Sequence, residues 1–438
     1  MRRSMAKIIK NSKNKNEFRI PCVKTRLLAA LATLMLGASL SCSAAEPGVA
    51  DRGVPPAWSV SGFGTLGVAY HDEDDTVFRR SVDQRGGARS GHLETRVDSL
   101  LGLQLNGQID GNWSVMGQVV SRQDIDRRWT PQLTWGFVKY APNDWSEFRA
   151  GRMAVDIYLD GDSRHVGYSY TTVRPYADVY GRLTYDTFDG VDAAFQRIVG
   201  GNLLRFKLFG GRTRGSVFLN AEEHPVRLGR TFGATLDWMG PEWSLKLSWG
   251  SMVTTRWDIH APLYVALREV AALGIRQAGA RADEIGHTNR ISYLGAGVGW
   301  ERGPFALQVM GTDMSMSVYP GFDGWGVGAT ASFRAGPWKP YATYSRSIID
   351  PRERALTLPG GAMFAPLQEA WSLIHEYTRH DQYTVGAGVR YDFADNAAFK
   401  LQVDRIEAKR SSSLLDDGGF RTGPRAVTLF SATIDFVF

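Results

Sequence analysis

The last eleven residues constrain the fold more than any other stretch. From Thr428 to Phe438 the even positions are Thr428, Phe430, Ala432, Ile434, Phe436 and Phe438, and the odd ones are Leu429, Ser431, Thr433, Asp435 and Val437. A period of two means a strand with unlike faces, one apolar and aromatic, the other carrying Ser, Thr and Asp. A soluble sheet edge is normally blunted with charge or kept short, so a strand with this many exposed aromatics needs another solution.

The same pattern recurs along the chain. From Leu93 to Ile109 the odd positions read Leu93, Thr95, Val97, Ser99, Leu101, Leu103, Leu105, Gly107 and Ile109, opposite Glu94, Arg96, Asp98, Gln104, Asn106 and Gln108. Asp110-Gly111-Asn112 reads as a tight turn, after which Trp113, Val115, Gly117 and Val119 begin the return. Three units resemble one another: Gly295–Trp300 with Phe305–Val309, Trp325–Phe333 with Tyr341–Tyr344, and Val385–Tyr391 with Phe399–Val403. Each is strand, turn, strand, which makes a repeating hairpin array.

Short turns and long connections alternate. Seven short turns fall at 110–112, 142–144, 200–202, 240–242, 302–304, 335–337 and 394–396. Eight longer, more polar connections fall at about 71–91, 124–131, 154–187, 214–228, 255–287, 316–322, 350–380 and 409–424. Fifteen connections imply sixteen strands, with the first, Trp58–Tyr70, placed to pair with the last. A strand at 178–187 would raise the count to 18 and put turn lengths out of phase. The expected fold class is therefore all-β: a closed transmembrane antiparallel β-barrel, which spans lipid without an open backbone edge.

The N-terminal segment is unlike the rest. Residues 1–26 are basic, Leu27–Leu40 is an apolar run of 14, and Ser41-Cys42-Ser43-Ala44-Ala45 are small. That order reads as a secretory signal peptide over 1–45, cut near Ala44 or Ala45, because a membrane-spanning helix needs roughly 20 apolar residues. Residues 46–57, with Pro47, Pro55 and Pro56, read as a periplasmic lead-in to a barrel over 58–438. The leader holds nine of the 51 basic residues and one of the 45 acidic ones, which leaves 42 and 44 and a net charge of −2. The basic balance thus belongs to the leader and is no sign of nucleic-acid binding. Both cysteines, Cys22 and Cys42, precede the cut, so disulfides, thiolate catalysis and cysteine-bound metals are not expected.

With lead-in, hairpin array and a terminal phenylalanine strand, the chain resembles the general porins of Gram-negative bacteria. That resemblance implies a trimeric outer-membrane channel for small hydrophilic solutes and ions. It also implies a third loop folded into the lumen, with acidic residues facing basic residues of the wall. The third long connection, 154–187, holds Asp156, Asp160, Asp162, Asp178 and Asp186 and five tyrosines, Tyr158, Tyr168, Tyr170, Tyr176 and Tyr180. Asp156, Asp160 and Asp162 are the acidic candidates. Strand parity supplies the basic ones: Arg96, Arg122, Arg149, Arg205, Lys207 and Arg390, with Lys246 and Lys400 beside them. After the leader there are 36 arginines and six lysines, and a guanidinium suits a fixed charge array because it stays ionised and forks between carboxylates. The alternative for each is a solvated loop acid or a strand-end arginine at the headgroups. By the same resemblance the partners are outer-membrane lipid and lipopolysaccharide, and the barrel-assembly machinery, engaged through the strand ending at Phe438. A homotrimer is expected and a cofactor is not.

Two loop segments have helical spacing: Leu263, Ala266, Leu267, Val270, Ala271 and Gly274, then Leu367, Ala370, Trp371 and Ile374. They read either as loop packing over the rim or as a cover or docking knob. No catalytic motif stands out. His375-Glu376 is followed by His380, one residue too far for a zinc helix, and Asp160-Gly161-Asp162 lacks the further ligands of a calcium loop. The Gly-x-Gly runs at 295–299 and 386–388 lie within alternating strands and open no helix. Two other readings remain: a substrate-specific channel, or an enzyme or adhesin on a plugged barrel.

Overall fold

The computed structural model describes residues 57–438, except 85, 124–127, 182–186, 220–221, 257–260, 286–289, 318–320, 352–353, 360, 413 and 417–420. The leader expected over 1–45 and the lead-in before Ala57 lie outside the described residues, as do Arg182 and Asp186.

The barrel begins with β1 (Ala57–Tyr70), and its first loop carries a small hairpin, β2 (Val77–Phe78) and β3 (Ala88–Arg89). Then follow β4 (Leu100–Gln108), β5 (Trp113–Arg122), β6 (Gln132–Asn143) and β7 (Ser146–Ala154). The third loop contains a 3-10 turn at Gly167–Ser169 and a helical turn, α1 (Ala177–Tyr180), before β8 (Thr187–Val199), β9 (Asn202–Leu219), β10 (Glu222–Met239) and β11 (Trp243–Arg256). Helices α2 (Ala261–Ala272) and α3 (Arg276–Glu284) lead to β12 (Arg290–Arg302), β13 (Phe305–Met316), β14 (Gly324–Phe333) and β15 (Trp338–Ile349). Helix α4 (Ala365–Thr378) precedes β16 (His380–Ala394), β17 (Ala397–Ala408) and β18 (Arg425–Val437).

Sixteen strands pair antiparallel with their neighbours, and β1 pairs with both β4 and β18, which closes the barrel. Among the described residues the segment 178–187 contributes no seventeenth strand: Asp178–Tyr180 belong to α1 and Thr187 opens β8. Closure is sealed at the chain's end: Gly62 N–H donates to the Phe438 carbonyl at 2.7 Å, and Phe438 N–H returns to Gly62 at 2.9 Å. A Cβ on Gly62 would stand 2.3 Å from the Phe438 ring, so the glycine makes room for the terminal aromatic.

The faces follow the alternation. On β18, Ser431, Thr433 and Asp435 are buried toward the lumen, and Phe430 and Phe438 are exposed outward. On β4, Leu101, Leu103 and Leu105 face outward. Beside the short turns, aromatic rings pair across neighbouring strands: Trp113 with Tyr140 at 4.6 Å, Trp243 with Trp300 at 6.1 Å, Phe305 with Phe333 at 5.1 Å and Trp338 with Tyr391 at 4.3 Å. They form an aromatic girdle at one rim, where rings sit between hydrocarbon and water. The turns themselves are tight; Gly200 and Gly201 both take positive φ, +58° and +81°, as a two-residue hairpin turn matched to strand twist requires.

Two sequence expectations shift. The alternation from Leu93 does not start a strand there, since β4 begins at Leu100. The preceding residues fold back instead: Gln84 donates to the Val97 carbonyl and Ser99 to that of Gly67, while Asp98 turns into the lumen. The loop expected over 214–228 is a continuation of β9 and β10, each 18 residues long, with pairing maintained across Pro225 and Ser216. Pro225 and the glutamates at 222 and 223 read as loop chemistry, but a hairpin in water needs no apolar face.

The two helical loop segments are helices. Leu263, Leu267 and Val270 of α2 pack in one cluster with Ala278 and Ala282 of α3 and Trp371 and Tyr377 of α4. Gly274, at φ +89°, ends the α2 turn by donating to the Ala271 carbonyl. No described helix is long and apolar enough to cross a membrane; the crossing is made by strands.

Candidate pore constriction

The third loop enters the lumen directly after β7 and is anchored to the walls along its length. At its start Asp156 is buried between two lysines, Lys207 on β9 and Lys246 on β11, the second at 2.6 Å; Lys246 also meets Asp237 on β10 at 3.1 Å. Burial alone would raise the Asp156 carboxyl, but the two ammonium groups hold it well below the usual carboxylate range. Ser248 donates to the Ile157 carbonyl at 2.7 Å, and Gln308 to Asp160 at 2.8 Å. Burial pushes the Asp160 carboxyl up, with the Gln308 hydrogen bond opposing it. Tyr158 stacks on Tyr180 at 4.1 Å and meets Tyr293 of β12 edge-on, which ties the loop's start to its end.

The middle of the loop lies on the opposite wall. Lys400 on β17 donates to the carbonyls of Gly167 and Thr172, at 2.7 and 2.9 Å, and pairs with Asp435 at 3.1 Å; Lys400 and Asp435 are fully buried. Arg390 on β16 donates to the carbonyls of Tyr168 and Tyr170 at 2.7 and 3.0 Å. Tyr168 reaches the short-turn rim, where its hydroxyl donates to the Asp395 carbonyl at 2.7 Å. Gly167 passes so close to the wall that a Cβ there would stand 2.1 Å from the Asp435 carboxylate and 2.4 Å from the Thr65 hydroxyl.

The last part is fixed by Arg174, which forks onto Asp98 at 2.9 and 2.7 Å and also reaches Asp404 at 3.2 Å and Ser431 at 2.7 Å. Burial disfavours the Arg174 cation, but Asp98 and Asp404 outweigh it and raise its pKa. Tyr176 hydrogen-bonds Thr330 at 2.7 Å, and burial pushes its phenol up to about 12. Asp178 accepts from Ser345 at 2.5 Å and from Gln382.

The structure thus sorts the residues read from the sequence. Asp156 and Lys207 meet, and Arg390 touches the same loop from across the lumen. Asp162, the exposed acid of the three, lies within electrostatic range of Arg149 on β7. Arg149 also forks onto Asp192, and Arg205 pairs with Glu147 at 2.5 Å. Arg122, at the end of β5, reaches Asp83 of the first loop at 3.3 Å. Arg96 is apart from the others: it precedes β4 and pairs locally with Glu94 at 2.6 Å while half its side chain is exposed. The carboxylates of the wall, Asp192, Asp404 and Asp435, were missed as partners, although parity on their strands turns them inward. The His380 ring engages the Tyr377 carbonyl at 3.0 Å, and among the described residues no group of His, Cys, Asp and Glu is placed to hold a metal.

A closed barrel of sixteen antiparallel strands, apolar outside and polar within, with a loop fastened in its lumen, defines an outer-membrane channel. The model of the Gram-negative porin family matches residues 28–411, and the chain belongs to that family, whose place is the Gram-negative outer membrane. No curated protein matches the sequence. Among solved structures, the chain is similar to the outer membrane channel DcaP of Acinetobacter baumannii, at 10% identity and TM-score 0.53, covering 88% of this chain and 98% of that one. It is likewise similar to a loop L8 deletion mutant of OmpT, an outer membrane protein of Vibrio cholerae, at 10% identity and TM-score 0.51, covering 88% and 100%. At such identities the likeness is one of fold.

Proposed function

We propose that the barrel is a water-filled channel through which small hydrophilic solutes and ions diffuse passively, with the third loop as its fixed constriction and without catalysis. The observation that carries this reading is the anchoring of that loop to facing walls by Asp156, Gly167–Thr172 and Arg174. The roles of the charged residues then divide. Asp156, Lys207 and Arg390 hold the loop. Asp162 and Arg149, with Arg205 below them, border the passage and set a transverse field across it. Asp160 borders a cavity beneath the loop. Arg122 lies toward the long-loop mouth, and Arg96 outside it.

The rest of the reading follows the family. Residues 1–45 direct export and are removed near Ala44 or Ala45. The strand ending at Phe438 engages the assembly machinery, three copies associate, the long loops face outward, and the barrel surface contacts lipid and lipopolysaccharide.

One feature favours substrate preference within this function. A cavity of about 520 Å³ lies beneath the loop and is lined by Asp160, Tyr170, Asp237, Glu301, Lys246 and Lys339 among others. Polar groups of both signs around an aromatic ring suit a hydroxylated solute. Liposome swelling with sugars of increasing size tests both readings. Rates that fall with size and rise linearly with concentration mark passive diffusion, and rates that saturate for one sugar class mark a binding channel. Folded, inserted protein that admits neither sugars nor ions contradicts both.

A further inference from the structure

The cavity beneath the third loop has two ends of different chemistry. Its upper end, against the loop, is lined by Asp160, Ser169, Tyr170 and Thr171, and its lower end lies at the short turns beside Glu242. Inward residues of four consecutive strands line that lower end: Glu301 of β12, Ala306 of β13, Ser332 of β14 and Lys339 of β15. Strand register sets them in a row. Glu301 stands opposite Ala306, Ala306 opposite Ser332, and Ser332 opposite Tyr341, with Lys339 two residues below Tyr341 on the same face.

Glu301 and Lys339 carry opposite charges and do not meet. Three strand spacings separate them, roughly 14 Å at about 4.8 Å each, and the two side chains between them are short. Lys339 is within electrostatic reach of Glu301, but among the described residues neither makes an ion pair or a side-chain hydrogen bond. The charges around them are already engaged or sharpen the division. Asp392 of β16, also within reach of Lys339, is held by Arg390 at 2.6 Å and by Arg334 at 3.2 Å. Both arginines act on Lys339 as further cations. On the other side Glu242 faces Arg302 at 3.5 Å, and Lys246 is engaged by Asp156 and Asp237. The lower end thus presents a cationic side at Lys339 and an unpaired carboxylate at Glu301.

We infer that the lower end of this cavity binds a small zwitterion, an amino acid or short peptide, with its carboxylate on Lys339 and its ammonium on Glu301. The inference names a substrate class for the proposed channel and rests on that reading. Charge decides the occupant. A simple anion is repelled by Glu301, and a simple cation by Lys339 and the two arginines behind it. A neutral sugar leaves both charges unmatched. A solute charged at both ends satisfies the two side chains at once, and lies over Ala306 and Ser332, where the wall leaves room for it.

The test is uptake of radiolabelled alanine into proteoliposomes that hold the purified protein, over a range of alanine concentrations. Uptake is expected to saturate. Unlabelled alanine and dialanine should both compete, and the stronger of the two shows which charge spacing fits the gap. Propionate, which lacks the ammonium, and ethylamine, which lacks the carboxylate, should compete poorly. Lys339→Met and Glu301→Gln remove one charged contact each and should raise the half-saturating concentration roughly tenfold, with salt conductance retained. Asp283→Asn, on the cap helix α3, should take up alanine as the wild type does. Alanine uptake that stays linear with concentration overturns the inference. So does competition by propionate or ethylamine as strong as by dialanine, or half-saturation unchanged in both variants. Conductance of the same preparations separates the two claims: protein that conducts salt but takes up alanine without saturation refutes only this site, while folded, inserted wild type that never conducts refutes the channel.

Discussion

Replacing Asp156 by Asn probes the anchor at the loop's entrance. Lys207 has 2% of its side chain exposed and Asp156 as its ion-pair partner, whereas Lys246 keeps Asp237 at 3.1 Å when Asp156 is neutralised. The substitution therefore leaves one buried ammonium without its ion-pair carboxylate. Removing one partner of a buried pair costs about 3–5 kcal/mol. The asparagine oxygen still accepts one hydrogen bond, which places the cost near about 3 kcal/mol, or roughly a hundredfold in the folding equilibrium. Lys207→Met removes the stranded charge, so the double variant Asp156→Asn/Lys207→Met should be more stable than Asp156→Asn alone. Urea unfolding in detergent micelles measures all four proteins. A single-variant loss below about 0.5 kcal/mol, or strict additivity of the two substitutions, refutes the reasoning, because residues that interact directly couple by more than that.

Three further outcomes follow. Because the folded Asp156 carboxyl is depressed, its contribution is complete above about pH 4, the unfolded value, and is lost as pH falls toward the folded one; unfolding free energy against pH should show an acid-side slope that Asp156→Asn flattens. Gly167→Val drives a side chain into the buried Asp435 and Thr65, so the loop must leave that wall, at about 1–3 kcal/mol of stability, and single-channel conductance should change while circular dichroism still reports the barrel. Deleting Phe438 removes two closing hydrogen bonds and the ring over Gly62, which should cost about 2 kcal/mol at about 1 kcal/mol per bond and lower the thermal midpoint; an unchanged midpoint would show that closure does not depend on the last residue.

Much of the fold was legible because a membrane barrel obeys local rules. Alternation in Thr428–Phe438 names the faces, and the Asp110-Gly111-Asn112 and Gly200-Gly201-Asn202 turns mark the hairpins without reference to distant residues. Helical spacing in Leu263–Gly274 was equally local. Where lipid imposes no face, the signal fades: the upper β9–β10 hairpin continues through Pro225, and the alternation at 93–99 lies outside any barrel strand. The site was legible only in part for a related reason. Parity tells which side of the wall a residue faces but gives neither its height nor its partner. It put Lys207, Arg149 and Arg390 on the lumen side together, although one is sealed against Asp156, one forks onto Asp192 and one holds backbone carbonyls. Nor does it mark Arg174, a loop residue that gathers Asp98, Asp404 and Ser431 from three separate places in the sequence.

The central claim, that the lumen stays open beside an anchored loop, is tested most directly by single-channel current in a planar lipid bilayer with unequal salt on the two sides. The account predicts stable conductance steps, grouped in threes for a trimer, with a reversal potential that shifts toward anion preference when Asp162 is replaced by Asn. Folded protein that inserts and never conducts would contradict it, and would make the loop a plug.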